Sequence, residues 1–169
     1  MTTRAGTPAT YHPWTTYIYA REEARVRGDR RVGTEHLVLG LLRDPVIASL
    51  LAFDLDTARK ALDRLDRDAL RTIGIRQRFA AAAPPAFGPP PTPTLRAVLQ
   101  GRLPLTPVAK LALQEAGKPM RRRQQITAPE VLTRLLVREP PDPGAVLFAA
   151  LGVDRAALLA RLPRPPQAA

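Results

Sequence analysis

The chain has 169 residues, 45% of them hydrophobic, with 26 Lys and Arg against 15 Asp and Glu for a formal net charge of +11; this length suits one domain or two small lobes sharing a core. It contains no Cys, no run near the roughly 18–20 apolar residues of a membrane-spanning helix, and an opening MTTRAGTPAT without the apolar stretch of a secretory signal, so a cytoplasmic protein without disulfides is expected. One serine (Ser49), two isolated histidines (His12 and His36) and a Gly117-Lys118 followed by Pro119 leave no nucleophile–base pair, no paired metal ligands and no phosphate-binding GxxxxGK[ST] loop, so no catalytic residue, metal or cofactor is expected.

The periodicity is helical throughout, with no convincing period-two strand, and the predicted fold class is all-α. From Trp14, the positions Trp14, Tyr17, Ile18 and Ala24 share one face, Arg21, Glu22, Glu23 and Arg25 fall largely elsewhere, and Gly28 is a plausible stop. Gly33-Thr34-Glu35-His36 then leads into LVLGLL. A helix apolar almost all round must be central and buried, and Gly40 within it allows a neighbouring backbone to come close. Asp44-Pro45 breaks this helix, a short apolar helix spans Val46 to Phe53, and Asp56 is placed to cap TARKALDRL. DRDALRTIG (Asp66 to Gly74) adds a turn or two of helix.

AAAAPPAFGPPPTPT follows as a Pro-rich linker with polyproline character, read as a stiff spacer or, more sharply, as a ligand for a signalling domain. A short helix TLRAVLQG precedes Leu105, and PRPPQAA is expected to be a disordered tail.

The order of elements then recurs. Thr10 and Ala20 match Thr106 and Ala116 at an offset of 96; Val32, Leu41 and Leu42 match Ile126, Leu135 and Leu136 at 94; Asp56 matches Asp154 at 98. The offset changes where loops are expected, which points to an internal duplication of a four-helix unit.

The strings carrying that duplication resemble a known family. AREEARVRGDRRVGTEHLVLGLLRD (Ala20 to Asp44), with the ending LDTARKAL, is similar to one Clp repeat; LTPVAKLALQEA (Leu105 to Ala116), with LGVDRAALLARL (Leu151 to Leu162), is similar to a second. Two such repeats form the N-terminal domain of ClpC-type AAA+ unfoldases, and the resemblance covers roughly 10–162 without the ATPase modules that normally follow. It implies a free-standing, pseudo-twofold bundle of about eight helices. The units are a flexible N-terminus (1–9), repeat 1 (10–74), a Pro-rich linker (75–104), repeat 2 (105–162) and a tail (163–169).

The resemblance further implies a non-catalytic module that recognises substrates, adaptors or Clp components, as competitor, decoy or regulator of an unfoldase. It implies a phosphoarginine site in each repeat, with Thr10 and Glu35 in the first and Thr106 in the second. A helix N-terminus suits a phosphoryl group, and a carboxylate suits a guanidinium. Pro129 stands opposite Glu35 in the second repeat, and Thr127-Ala128-Pro129-Glu130 reads instead as a capping box. Thr10, Thr106 and Glu35 have the alternative reading of plain helix caps. The surface that cyclic-peptide antibiotics engage in such domains corresponds to Leu105, Lys110 and Gln114.

The charge supports a different class of function, a basic helical protein that binds nucleic acid through Arg25, Arg27, Arg30, Arg31 and Arg121 to Arg123. An Arg-, Ala- and Pro-rich composition also follows from a GC-rich genome, so the charge alone is weakly specific.

Overall fold

Helix boundaries in the computed structural model of the chain fall where Asp, Pro and Gly punctuate it. The structure describes residues 13–74, 103–117 and 127–162. These form eight α-helices: α1 (Pro13–Arg27), α2 (Thr34–Leu41), α3 (Pro45–Leu51), α4 (Leu55–Thr72), α5 (Pro107–Gly117), α6 (Ala128–Leu136), α7 (Pro143–Ala150) and α8 (Arg155–Arg161). The chain is thus an all-α bundle, and extended pairing among the described residues is limited to one parallel bridge, Val32 with Leu105. The expected Pro-rich linker up to Arg102, the short helix TLRAVLQG and the termini at 1–9 and 163–169 lie outside the described residues.

α2 is the centre. Seven of its eight residues are buried, and α1, α6 and α7 pack against it while α4 lies on α2 and α7. Leu37, Leu39 and Leu41 are fully enclosed, each contributing about 1.5–3 kcal/mol by leaving water. Gly40 lets α1 approach: a Cβ there would stand 2.7 Å from Thr16 O and 2.8 Å from Ala20 N. α1 ends as the sequence suggests, at Gly28 with φ of 77°, a conformation that costs most L residues strain.

Three Asp side chains of the same kind start short helices. Asp44 accepts from Val46 N at 2.8 Å ahead of Pro45, Asp142 from Ala145 N at 3.2 Å ahead of Pro143, and Asp154 from Ala157 N at 2.9 Å. Each satisfies a backbone donor left over at a helix start.

Several expectations are corrected. The cap of α4 is Asp54, which accepts from Thr57 N at 2.7 Å; the helix starts two residues earlier than expected, leaving Asp56 in its first turn, paired with Lys60 at 2.6 Å. α3 stops at Leu51 and does not reach Phe53, because Ala52 turns left-handed at φ of 59°. The end of the expected linker, Leu103 and Pro104, is described, with Pro104 O accepting Val32 N at 2.9 Å, which does not move its boundary.

Charged residues expected on the outer face of α1 are interior. Arg21 is buried, and Glu23 is 2% exposed. Glu23 accepts from Arg43 at 2.8 Å and from Arg59 through two bonds of 2.8 Å, so one carboxylate joins α1, the α2–α3 turn and α4. Arg43 also lies over the Tyr19 ring, 5.3 Å from its centroid. Burial pushes the Glu23 carboxyl up, but the hydrogen bonds and charges of Arg59 and Arg43 outweigh it and hold it below the ordinary glutamate value.

Two stability predictions follow from this packing. Gly40→Ala should lower stability by about 1–3 kcal/mol in urea unfolding, although alanine is the better helix former by about 1 kcal/mol, because backbone of α1 occupies the space. Glu23→Gln should cost about 3 kcal/mol at neutral pH by leaving two guanidinium groups without their anion. Since the folded carboxyl is depressed, its contribution is complete above the unfolded value of about 4.3 and fades as acid protonates it at lower pH. The wild type should therefore lose stability relative to the variant between about pH 5 and 2 in paired unfolding curves.

Candidate partner-binding surface

The turn between α1 and α2 meets the segment that opens the second half. Val32 N donates to Pro104 O, and Thr106 N donates to Val32 O, both at 2.9 Å. The Thr106 hydroxyl accepts from Ala109 N at 3.3 Å, so this candidate ligand residue caps α5. The pairing sets Thr106 beside Val32, three residues ahead of Glu35. Thr10, the expected partner of Glu35 in the first repeat, lies outside the described residues.

Glu35 occupies the first turn of α2 with its carboxylate folded back over Gly33; a Cβ on Gly33 would stand 2.2 Å from one of its oxygens. Its Oε1 is 3.0 Å from His36 Nδ1, while its Oε2 is buried without a hydrogen-bond partner. Burial pushes the Glu35 carboxyl up, but the contact with His36, with Arg27 adding to it, draws it below the ordinary value.

Asp29, Asp63 and Asp66 stand nearby around Arg27, whose guanidinium pairs with Asp29 at 3.5 Å, Asp63 at 2.5 Å and, more closely, Asp66. Burial, with Asp29, Asp63 and Glu35 adding to it, raises Asp66 above its ordinary value despite Arg27. This cluster is rich in carboxylate. It offers charge to a guanidinium and opposes a phosphoryl group.

In the second half Thr127 N and Thr127 Oγ1 donate to Glu130 Oε2, at 2.6 and 3.2 Å, which is the capping box expected from Thr127-Ala128-Pro129-Glu130. Glu130 therefore does in α6 what His36 does in α2, where Gly33 N donates to His36 Nδ1 at 3.1 Å. Both side chains stand three residues after the cap, at the offset of 94 that already relates the leucines. Glu130, out of phase with Glu35, is in phase with His36.

α5 carries the remaining candidates. Lys110 and Gln114 are exposed one turn apart and Leu105 is half-buried just ahead of the helix. The face turned inward is Ala109, Ala112 and Ala116. Of the larger apolar residues, Leu113 is half-buried against the core, whereas Val108 is 41% exposed and Leu111 39%, with Leu111 one turn from Gln114. Periodicity alone missed this face, because alanine and leucine count alike as apolar; the three alanines at helical spacing were the readable signal.

The basic alternative meets a different charge distribution. The described residues contain sixteen Lys and Arg against fifteen Asp and Glu, so the helical body is nearly neutral, and the other segments carry ten cations and no carboxylate. Arg27, one of the residues that motivated a phosphate-binding surface, is engaged by three carboxylates. Arg30 and Arg31 are exposed; Arg121 to Arg123 lie outside the described residues. No protein-family model matches the chain, and no curated protein does.

Thr106→Ala should lower stability by about 1 kcal/mol, the usual worth of an N-cap hydroxyl, in urea unfolding. An unchanged midpoint would show that the hydroxyl does not serve the helix.

Proposed function

We propose that the chain is a non-catalytic, cytoplasmic protein-binding module of Clp-type protein quality control, recognising a substrate, adaptor or Clp component. The observation that carries this reading is α5: its fully buried residues are three alanines, and Val108 and Leu111, one turn apart, are exposed, with Lys110 and Gln114 flanking Leu111. Apolar side chains set outward among polar neighbours suit association with another protein.

The same plan of helices in each half supports the Clp-repeat resemblance. α1 to α4 and α5 to α8 run in the same order. The side chain at the third helical position closes the cap of both α2 and α6. Asp-Pro opens both α3 and α7, and Asp54 and Asp154 open α4 and α8. The cap pair at offset 100 takes the place of the Asp56–Asp154 match.

Recognition of phosphoarginine by Glu35 has weaker support. Glu35 shares its surroundings with Asp29, Asp63 and Asp66, so a dianionic group placed there meets like charge. Thr106 is engaged as a cap.

The test uses a purified ClpC-type unfoldase with its protease and an unfolded client. An excess of this chain should change the rate of client degradation, and Leu111→Glu should weaken that effect at least tenfold, about 1.4 kcal/mol, without moving the unfolding midpoint. No effect of the wild-type chain, and no complex with unfoldase or client by calorimetry, would dismiss the reading.

A further inference from the structure

His36 is 2% exposed, and its ring is claimed by three groups. Nε2 lies 2.9 Å from Asp29 Oδ2. Nδ1 lies 3.1 Å from Gly33 N, which donates to it, and 3.0 Å from Glu35 Oε1.

The two contacts at Nδ1 make opposite demands. Gly33 N–H needs a lone pair there, whereas an ionised carboxylate needs a proton. In the neutral ring Nε2–H donates to Asp29, Nδ1 accepts from Gly33, and Glu35 Oε1 faces a lone pair. With a proton added from solvent, the new Nδ1–H donates to Glu35 Oε1 and Gly33 N–H loses its acceptor. The other oxygen of Glu35, Oε2, is buried without a hydrogen-bond partner, so this carboxylate is incompletely satisfied where it stands.

We propose that Gly33, Glu35 and His36 form a proton-operated latch, in which one proton at His36 Nδ1 decides whether the ring holds the cap of α2 or the side chain of Glu35. Charged groups from each neighbouring element bias it. Arg27 of α1 lies against Asp29, and Asp63 and Asp66 of α4 hold Arg27 in turn. Asp142, ahead of α7, accepts from Thr34 next to Glu35.

The consequence reaches the second half of the chain, because Gly33 follows Val32, whose N–H and carbonyl both bond to Pro104 and Thr106. Releasing Gly33 loosens the anchor of that pairing, so acid weakens the tie between the α1–α2 turn and the start of α5. The latch does not depend on which partner the α5 face binds.

The test is NMR on the full chain with His12→Gln, which leaves His36 as the sole imidazole, across about pH 8 to 5, where imidazole side chains ordinarily titrate. As pH falls, the His36 nitrogen signals should report a proton arriving at Nδ1. With the same midpoint, the protection of the Gly33 amide against hydrogen exchange should fall about threefold to tenfold, the worth of one hydrogen bond, and the Thr106 amide should shift. Glu35→Gln, which removes the anion and keeps the shape, should displace both responses to lower pH. Three results would overturn the latch: an Nδ1 that stays unprotonated across the range, protonation without a response at Gly33, or identical curves for Glu35→Gln and wild type. The first two are read on a chain with Glu35 intact, so they hold even if Glu35→Gln fails to fold.

Discussion

A helix that is apolar on nearly every side must be surrounded, and α2 imposes that requirement on the rest of the chain. Its eight residues cannot be covered by one neighbour, so α1, α6 and α7 all lie against it. Enclosure creates a second requirement at its N-terminus, where backbone donors lose access to water. The molecule meets it with side chains from several places. His36 takes Gly33 N–H. Thr34, itself buried, donates to Asp142 at 2.9 Å and accepts from Gly144 N at 3.0 Å, so that the start of α2 and the start of α7 satisfy each other. Gly144 permits that meeting, since a Cβ there would stand 3.0 Å from Thr34 Cβ.

The same enclosure explains where charge lies. Long side chains of α1 that face the bundle can stay charged only with partners at hand, and Glu23 has two guanidinium groups on it. Such a cluster ties α1, the α2–α3 turn and α4 to one carboxylate. Elsewhere cations and carboxylates balance across the helical body, and the excess of positive charge belongs to segments with no acid in them. A net charge of +11 is therefore a poor description of the surface that the helices present.

The readable parts of the fold were those written in local chemistry. Gly28, Asp44-Pro45 and Thr127-Ala128-Pro129-Glu130 each act within a few residues, and the helices start or stop at them. The burial of α2 was legible because LVLGLL carries no polar side chain. Glu23 was not, because its burial depends on Arg43 and Arg59, which are 20 and 36 residues away, and periodicity assigns a glutamate to solvent. Asp54 and Asp56 are both good caps, and the choice between them rests on where the chain leaves α3, which Ala52 decides by turning left-handed. Among the candidate site residues, Glu35 was found by type, yet its setting among Asp29, Asp63 and Asp66 comes from α4 folding back on α1, a long-range event. The outward face of α5 was hidden by counting alanine and leucine as equal when only their sizes differ.

α1 to α4 and α5 to α8 run in the same order, and they differ where they meet. At the position matching Thr34 the second half has Ala128, buried like its counterpart but without a hydroxyl. The residue matching Gly144 is Val46, which is 65% exposed and whose N–H donates to Asp44. Thus α7 is bonded to the start of α2, and the reciprocal hydroxyl bond between α3 and α6 cannot form. A junction bonded on one side concentrates its polar contacts at Thr34 and at the neighbouring pairing of Val32 with Thr106. α6 and α7 cover α2, while α5 buries three alanines and packs Leu113 partly against the core. That division leaves Val108 and Leu111 of α5 partly in solvent.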